Sequence, residues 1–161
     1  MKESIIFKPI GIIHSLFTTV ENMPIQSRSA EGIDGSVEIF DEYQAGLQDL
    51  DGFSHIILIY YFHKSNGFKL KASPFLEDVE HGVFAIRAPR RPNPIGISIV
   101  KLKSIDNGIL SVENIDILDG TPLLDIKPYV PSFDSYPEAV TGWLTPHSEK
   151  VKSGVSDERF K

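Results

Sequence analysis

Short apolar segments rich in β-branched residues, each bounded by turn residues, recur through most of this 161-residue chain. Segments of this length and composition are typical of β-strands, whereas helices need longer patterns with a period near 3.6. The longest segment, residues 53–63, is apolar at nearly every position, which predicts a central strand covered on both faces. The predicted strands are residues 5–14, 36–40, 53–63, 82–87, 95–103, 109–118 and 123–129, with residues 139–144 as a further candidate.

Turn and helix signals lie between these segments. Asp106-Asn107-Gly108 separates two predicted strands and indicates a tight hairpin, because Asn-Gly can adopt the positive φ angles that such a turn needs. The segment that resembles a helix is residues 41–50, with Asp41 as its candidate cap and three apolar residues on one face, namely Tyr43, Leu47 and Leu50.

Six or more strands with one short helix predict a mostly β fold, either a sandwich or an antiparallel barrel. Closure into a barrel would leave fewer exposed strand edges. Strands do not alternate with helices, and no G-x-G-x-x-G follows a strand, so a doubly wound Rossmann fold is not expected. The absence of a G-x-x-x-x-G-K-S/T sequence also excludes a P-loop nucleotide triphosphatase.

Composition and charge limit the possible functions. The chain has no cysteine, which excludes disulfides, thiol nucleophiles and cysteine-held metal sites. Its formal net charge of −6 excludes a strongly basic nucleic-acid coat but allows a local basic patch. No apolar run approaches the ~18 residues of a membrane helix, so we expect a cytoplasmic protein. Residues 1–147 form the predicted domain and residues 148–161 a polar C-terminal tail.

Residues 87–98, RAPRRPNPIGIS, form the most unusual stretch of the chain. Three arginines and three prolines fall within its first eight residues. Proline fixes its own φ and restricts the preceding residue, so the arginines are held on a stiff loop. The planar guanidinium binds carboxylates and phosphates. We favour anion recognition over a surface loop with solvated arginines.

Residues 116–129 contain the turn sequence Asp119-Gly120-Thr121-Pro122. Asp119 then serves either as a turn acceptor or, with Asp116 and Asp125, as part of a site at the strand ends.

Two other stretches carry polar residues. The irregular residues 17–34 are long for a loop without function, and we interpret them as a binding loop. His55 and His63 lie eight residues apart on one predicted strand, hence ~26 Å apart at ~3.3 Å per residue, which is too far for one ion. We therefore expect no metal site.

Four blocks of the sequence resemble a known family. FAIRAPRRPNPIGIS (residues 84–98) and DILDGTPLLDIKPYVP (residues 116–131) are similar to two signatures of the TrmO, or TsaA-like, S-adenosylmethionine-dependent tRNA methyltransferases. GIIHS (residues 11–15) and LDGFSHIILIYYFH (residues 50–63) match further blocks in order and spacing. The resemblance covers about residues 5–144, and the chain resembles the short, archaeal-type members.

The resemblance implies a single-sheeted antiparallel β-barrel that forms homodimers, with the cofactor S-adenosylmethionine near the dimer interface. It implies methylation of N6 of N6-threonylcarbamoyladenosine at position 37 of tRNA, so that the tRNA anticodon loop is the partner. The cofactor-binding residues that the resemblance implies are Gln26, Ser27, Arg28, His63, Lys64, Arg87, Ile97, Asn114, Ile115 and Asp116.

These residue types suit that cofactor. Arg87 or Arg28 can bind its carboxylate and Asp116 its ammonium, while Ile97 and Ile115 can form an adenine slot. Methyl transfer is an in-line displacement from an activated sulfonium, so much of the acceleration can come from alignment and no metal is needed.

The acceptor nitrogen must lose a proton, which a general base would accept. The candidates are Asp119, Asp125 and Tyr129, which the sequence does not rank, while Asn93 could orient the base. Arg90 and Arg91 are expected to bind tRNA phosphates or the threonyl carboxylate. Two alternatives stay open: methylation of another small amine or base on the same barrel, or a non-catalytic RNA- or ligand-binding barrel.

Overall fold

The computed structural model describes residues 4–21, 23–76 and 78–147, and these ranges are mostly β, as predicted. One short α-helix, Pro131–Asp134, follows the last strand. The described strands are β1 (Gly11–His14), β2 (Asp34–Ile39), β3 (His55–Tyr61), β4 (Lys71–Ala72), β5 (His81–Gly82), β6 (Ile95–Asp106), β7 (Ile109–Glu113) and β8 (Thr121–Pro128).

Six strands close into a single antiparallel barrel, which decides between the barrel and the sandwich. The order around the barrel is β1-β2-β7-β6-β3-β8, and β8 pairs back with β1, where Leu123 lies opposite Gly11. Closure gives each of the six strands two hydrogen-bonded neighbours, which removes the exposed edges of an open sheet. β4 and β5 form a separate two-stranded pair.

Alternation along the strands fills the barrel with apolar side chains. From Ile95 to Leu102, every second residue of β6 is buried, so Ser98 and Val100 face inward while Ile97 faces outward. Burying one such aliphatic side chain contributes about 1.5–3 kcal/mol relative to leaving it exposed. The fully buried core includes Ile13, Val37, Ile56, Leu58, Val100, Leu110, Val112 and Leu123.

The predicted hairpin is confirmed. β6 and β7 are joined through Asn107 and Gly108, whose φ angles are 47° and 77°. Two successive positive φ angles define the tight turn that matches the twist of paired strands. The backbone N–H of Ile39 donates to the Gly108 carbonyl oxygen at 2.8 Å, which ties this turn to the end of β2.

The predicted helix over residues 41–50 is wrong in type. The chain forms two 3-10 helices, Asp41–Leu47 and Leu50–Gly52, separated by Asp49 in the left-handed region at φ 65°. Phe40, not Asp41, precedes the first helix, and no side chain of the described residues caps it. The apolar face is nevertheless correct, because Tyr43, Leu47 and Leu50 pack against the barrel core.

Two predicted strands are also wrong. Residues 82–87 contain the end of β5 and a 3-10 helix, Val83–Ala85. Val83 and Ile86 are buried while Phe84 and Ala85 are exposed, a spacing of three that fits a 3-10 turn. Residues 139–144 lead into another 3-10 helix, Gly142–His147, whose contacts are with residues distant in sequence.

The ends of the predicted segments differ from the structure. The strand predicted over residues 5–14 begins only at Gly11, and Ile5 and Ile6 are more than 80% exposed. The strand predicted over 109–118 ends at Glu113. The predicted polar tail, residues 148–161, lies outside the described residues. In the described part of the chain, no helix is long and apolar enough to cross a membrane.

Candidate cofactor site

A cavity of about 1040 Å³ lies at the junction of several segments that the sequence analysis singled out. It is bordered by the end of β3, the first half of β6 and the loop that follows β7. Residues of the loops before β2 and before β6 also line it, and it extends to Ser54, His55 and Tyr129 near the start of β3. Its size falls at the upper end of the range for small-molecule sites, which are few in a protein. The lining residues that were predicted to bind the cofactor are Gln26, Ser27, His63, Lys64, Arg87, Ile97, Asn114 and Asp116.

Arg87 links two of the loops that border the cavity. It is exposed, and its Nη1 donates to Oε1 of Gln26 at 3.4 Å. Gln26 precedes a 3-10 helix, Ser27–Ser29, with extended backbone at φ −154° and ψ 155°. The predicted binding loop, residues 17–34, and the arginine- and proline-rich residues 87–98 therefore meet at this contact. Arg28 lies in the same 3-10 helix, and its side chain is outside the described part of the structure.

The arginine- and proline-rich residues 87–98 are held against the residues that follow β3. Phe62 N–H donates to the Pro94 carbonyl at 2.8 Å, and Ser65 Oγ donates to the Pro89 carbonyl at 3.1 Å. Arg91 donates from Nη1 to the carbonyl of Ile86 at 3.2 Å and lines the cavity.

Arg90, the other predicted substrate-binding residue, is not among the residues that line the cavity. Its Nε is buried and has no hydrogen-bond partner among the described residues.

The loop after β7 turns sharply to bring Asp116 to the cavity. Asn114 lies in the left-handed region at φ 71°, and its Oδ1 accepts from the Gly32 N–H at 3.1 Å. Ile115, predicted to form part of an adenine slot, instead points into the barrel core and is fully buried. Its backbone N–H donates to the Ile33 carbonyl at 3.2 Å. The buried side chain and this backbone bond hold the loop in place, and Ile115 does not line the cavity.

Asp116 is a carboxylic acid that lines the cavity and has a perturbed pKa. Burial raises its pKa to about 6, although a hydrogen bond from Ser98 and the charge of Arg87 act in the opposite direction. Ser98 Oγ lies 2.6 Å from Asp116 Oδ1, and the Tyr60 hydroxyl lies 3.0 Å from Ser98 Oγ. Desolvation disfavours the charged form of a carboxyl group. This carboxylate would therefore be stabilised by a positively charged ligand.

His63 and Thr121 form a second polar contact in the cavity. Their Nδ1 and Oγ1 atoms lie 3.3 Å apart, and Thr121 Oγ1 donates to the Leu118 carbonyl at 2.7 Å. Since that hydroxyl proton is already engaged, His63 is the donor in the first contact. Burial, and then the charge of Lys64, lowers the pKa of His63. A neutral imidazole therefore faces the cavity near neutral pH.

The four candidates for a base or its orienting group are dispersed. Asp119 pairs with His14 at 3.4 Å, and Asp125 pairs with Lys127 at 2.8 Å; neither lines the cavity, nor does Asn93. Tyr129 does line it, but beside His55 at the opposite end of β3 from Tyr60. Tyr60 is five positions after His55 on β3, which places it ~17 Å away.

Tyr60, Ser98 and Thr121 line the cavity but were not predicted as site residues. Ser98 and Thr121 are only 3% and 2% exposed. Both stand at inward positions of strands that are otherwise apolar inside, and a polar residue at such a position is the signal that could have identified them. Among the described residues, no group of three or more His, Asp or Glu side chains could hold a metal ion.

Comparison with known proteins gives the family. The model of the tRNA-methyltransferase O N-terminal domain matches residues 12–135. A probable S-adenosyl-L-methionine-binding protein of Pyrococcus abyssi is 51% identical over 156 residues, which are 97% of this chain and 85% of that protein. The human tRNA (adenine(37)-N6)-methyltransferase is 34% identical over 139 residues, but the match spans only 32% of that protein.

A solved structure supports the same assignment. The crystal structure of TrmO from Pseudomonas aeruginosa superposes with a TM-score of 0.73 at 37% identity. The match covers 89% of this chain and 63% of that one. A family model that spans most of the barrel, together with relatives of this identity, leads to one conclusion. The chain belongs to the tRNA-methyltransferase O family.

Proposed function

We propose that this chain is an S-adenosylmethionine-dependent methyltransferase that methylates N6 of adenosine 37 in tRNA, and that its acceptor is N6-threonylcarbamoyladenosine. The family and the names of its relatives support the cofactor and the tRNA adenine. The observation that carries the proposal is one cavity in which Arg87, Asp116 and an apolar strand face meet. A cytoplasmic location is part of the proposal, since a tRNA substrate would be met there.

The cavity residues fit the chemical groups of S-adenosylmethionine. The exposed guanidinium of Arg87 suits a carboxylate, and the half-buried Asp116 suits a positive group. Ile97 offers an apolar surface to an adenine ring. When bound, the cofactor supplies a methyl group that its sulfonium has already activated. The protein's part is to hold both reactants in line and to exclude water.

The basic residues suit the nucleic acid. Lys64, Arg87 and Arg91 line the same cavity in a chain whose net charge is −6. A local positive patch on an acidic body binds phosphates at one place without general affinity for RNA. Adenosine 37 stands in a single-stranded loop, so it can enter a pocket without melting a duplex. The same residues could recognise the threonyl carboxylate.

We further propose that two copies of the chain pair across the outer face of β6. Ile95, Ile97 and Ile99 project outward there, and Ile97 is 52% exposed. These isoleucines also line the cavity, so a partner on this face would enclose it. Sedimentation equilibrium tests this pairing: we expect a dimer for the native chain and a monomer for Ile99→Glu. A native monomer at micromolar concentration would rule the dimer out.

The enzymatic proposal is tested with purified tRNA that carries or lacks threonylcarbamoyl at adenosine 37. We expect methyl transfer from labelled S-adenosylmethionine to the modified tRNA, and nucleoside analysis should find the label on N6. Equal transfer to unmodified tRNA would retain the adenine methyltransferase but remove the threonylcarbamoyl specificity. Cofactor binding without transfer to either tRNA would favour another acceptor. No cofactor binding at all would leave a non-catalytic barrel.

A further inference from the structure

A chain of three polar groups runs from the barrel interior to the cavity. Tyr60 is on β3. Ser98 is on β6, opposite Leu58 of β3, and Asp116 is in the loop after β7. Tyr60 and Ser98 are only 5% and 3% exposed, so their hydroxyls lie among core side chains. A buried hydroxyl without a partner costs about 1–3 kcal/mol, and here each hydroxyl has one.

The direction of these hydrogen bonds follows from the chemistry. An ionised carboxylate only accepts, so Ser98 Oγ donates to Asp116 Oδ1 across 2.6 Å. The oxygen of Ser98 is then left to accept from the Tyr60 hydroxyl at 3.0 Å. Burial raises the pKa of Tyr60, so the phenol keeps its proton and remains a donor. Both bonds therefore point toward the carboxylate.

We propose that Tyr60 and Ser98 are positioning residues that hold the Asp116 carboxylate, in its ionised form, against the positively charged cofactor. This inference rests on the proposed function. Burial alone favours the neutral acid, which would not attract a cation. A hydrogen bond donated to the charged form favours that form, and Ser98 supplies one that Tyr60 polarises further.

Other ionisable groups near Asp116 belong to the same cavity. Arg87, from the loop before β6, acts on Asp116 through its charge, and His63 and Lys64 come from the residues after β3. His63 would gain charge at low pH and repel a cation. The pH dependence of cofactor affinity is therefore compared among variants that all retain Arg87, His63 and Lys64.

The test is calorimetric titration with S-adenosylmethionine from pH 5.5 to 8.5. We expect the affinity of the native chain to rise with pH as Asp116 ionises. Ser98→Ala should move the midpoint up by about one pH unit, as expected for one lost hydrogen bond to a charged group. Binding would then be about fivefold weaker at pH 6 and close to native at pH 8.5. A general loss of packing would weaken binding equally at every pH.

Two other variants make the test selective. Ser104→Ala is the matched control, because Ser104 is an exposed serine on the same strand, and it should leave the midpoint unchanged. Tyr60→Phe should shift the midpoint in the same direction as Ser98→Ala but less. The double variant should resemble Ser98→Ala, because that change already removes the partner of the Tyr60 hydroxyl.

The outcomes separate the two proposals. If the native chain does not bind S-adenosylmethionine, the proposed function itself fails. If it binds but Ser98→Ala keeps the native midpoint, or loses the same factor at every pH, Tyr60 and Ser98 do not position the carboxylate. Should Ser98→Ala fail to fold because the Tyr60 hydroxyl is orphaned, the double variant leaves neither hydroxyl unpaired and gives the same reading.

Discussion

The ring of Tyr60 lies directly against the backbone of Gly96, its cross-strand partner on β6. A Cβ atom at position 96 would overlap the Tyr60 ring and would come within 2.9 Å of Phe62 Cζ. The rings of Tyr60 and Phe62 meet edge to face with centroids 5.4 Å apart. The missing side chain at Gly96 therefore sets the position of two aromatic rings that line the cavity, and of the Tyr60 hydroxyl that reaches Ser98.

We predict that Gly96→Ala destabilises the barrel by about 1–3 kcal/mol, because the new methyl group forces the rings and strands apart. Urea unfolding measures this loss. Gly46→Ala is the matched control, since a Cβ there meets nothing within 4 Å. If both variants unfold at the same urea concentration, the close approach of Tyr60 to Gly96 is not a constraint on the fold.

The raised pKa of Asp116 predicts how stability depends on pH. The folded state holds this proton up to about pH 6, whereas the unfolded state releases it near the ordinary value of 3.8. The unfolded state therefore binds fewer protons between these values, and this group's contribution to stability falls as pH rises through that window. The loss amounts to at most about 3 kcal/mol.

Asp116→Asn removes this titration. We predict that the variant gains stability relative to the native chain as pH rises from 4 to 6.5, while its affinity for a cationic ligand falls. Unfolding free energies at several pH values give the difference directly, and subtraction cancels the titration of other carboxylates. If the unfolding free energies of the two proteins change in parallel with pH, the pKa of Asp116 is not raised by folding.

Arg87→Ala should weaken S-adenosylmethionine binding by about 10- to 100-fold, as expected for the loss of a hydrogen-bonded charged partner. Stability should change little, since Arg87 is exposed and its contact with Gln26 is long at 3.4 Å. Lys101→Ala, which removes an exposed positive charge from the side of the barrel, is the control. Native cofactor affinity in Arg87→Ala would remove Arg87 from the site.

Arg91→Ala should raise the KM for tRNA several-fold and leave cofactor affinity close to native. The effect should be largest at low salt, because screening weakens contacts with phosphates. Arg91 also donates to the Ile86 carbonyl, so a stability loss of about 1 kcal/mol is expected beside the kinetic effect. Arg91→Lys keeps the charge but not the planar fork and should be intermediate. Normal tRNA kinetics for Arg91→Ala would contradict its predicted role.

Trp143→Phe tests how the last described helix is attached. The indole Nε1 donates to the Ala85 carbonyl at 2.8 Å, and the ring stacks on His81 with centroids 4.5 Å apart. Phenylalanine can keep the stacking but not the hydrogen bond, so we predict a loss of about 1 kcal/mol. Limited proteolysis should then cut within residues 131–147 more readily. Unchanged proteolysis and stability would mean that the indole bond does not hold this segment.

The strands that were predicted correctly are those whose pattern is set by neighbouring residues along the chain. The alternation in residues 95–103 and the Asn107-Gly108 turn are local signals, and both strand and hairpin are confirmed. The failures at residues 82–87 and 139–144 have the opposite cause. Val83 is fixed by a backbone bond to Leu70, and Trp143 by Ala85 and His81, none of which a local pattern contains.

The same division holds for the site. Two stretches are unusual enough to be identified from the sequence alone: the arginine- and proline-rich residues 87–98 and the aspartate-containing residues 116–129. The two long family signatures overlap these stretches. The barrel decides which side chains share a cavity. The pleat and register of β6 send Ser98 inward beside Tyr60. The fold turns Ile115 into the core and leaves Asp119 and Asp125 outside the cavity. Local sequence sets the direction of each strand's side chains. Only closure of the sheet determines what those side chains meet.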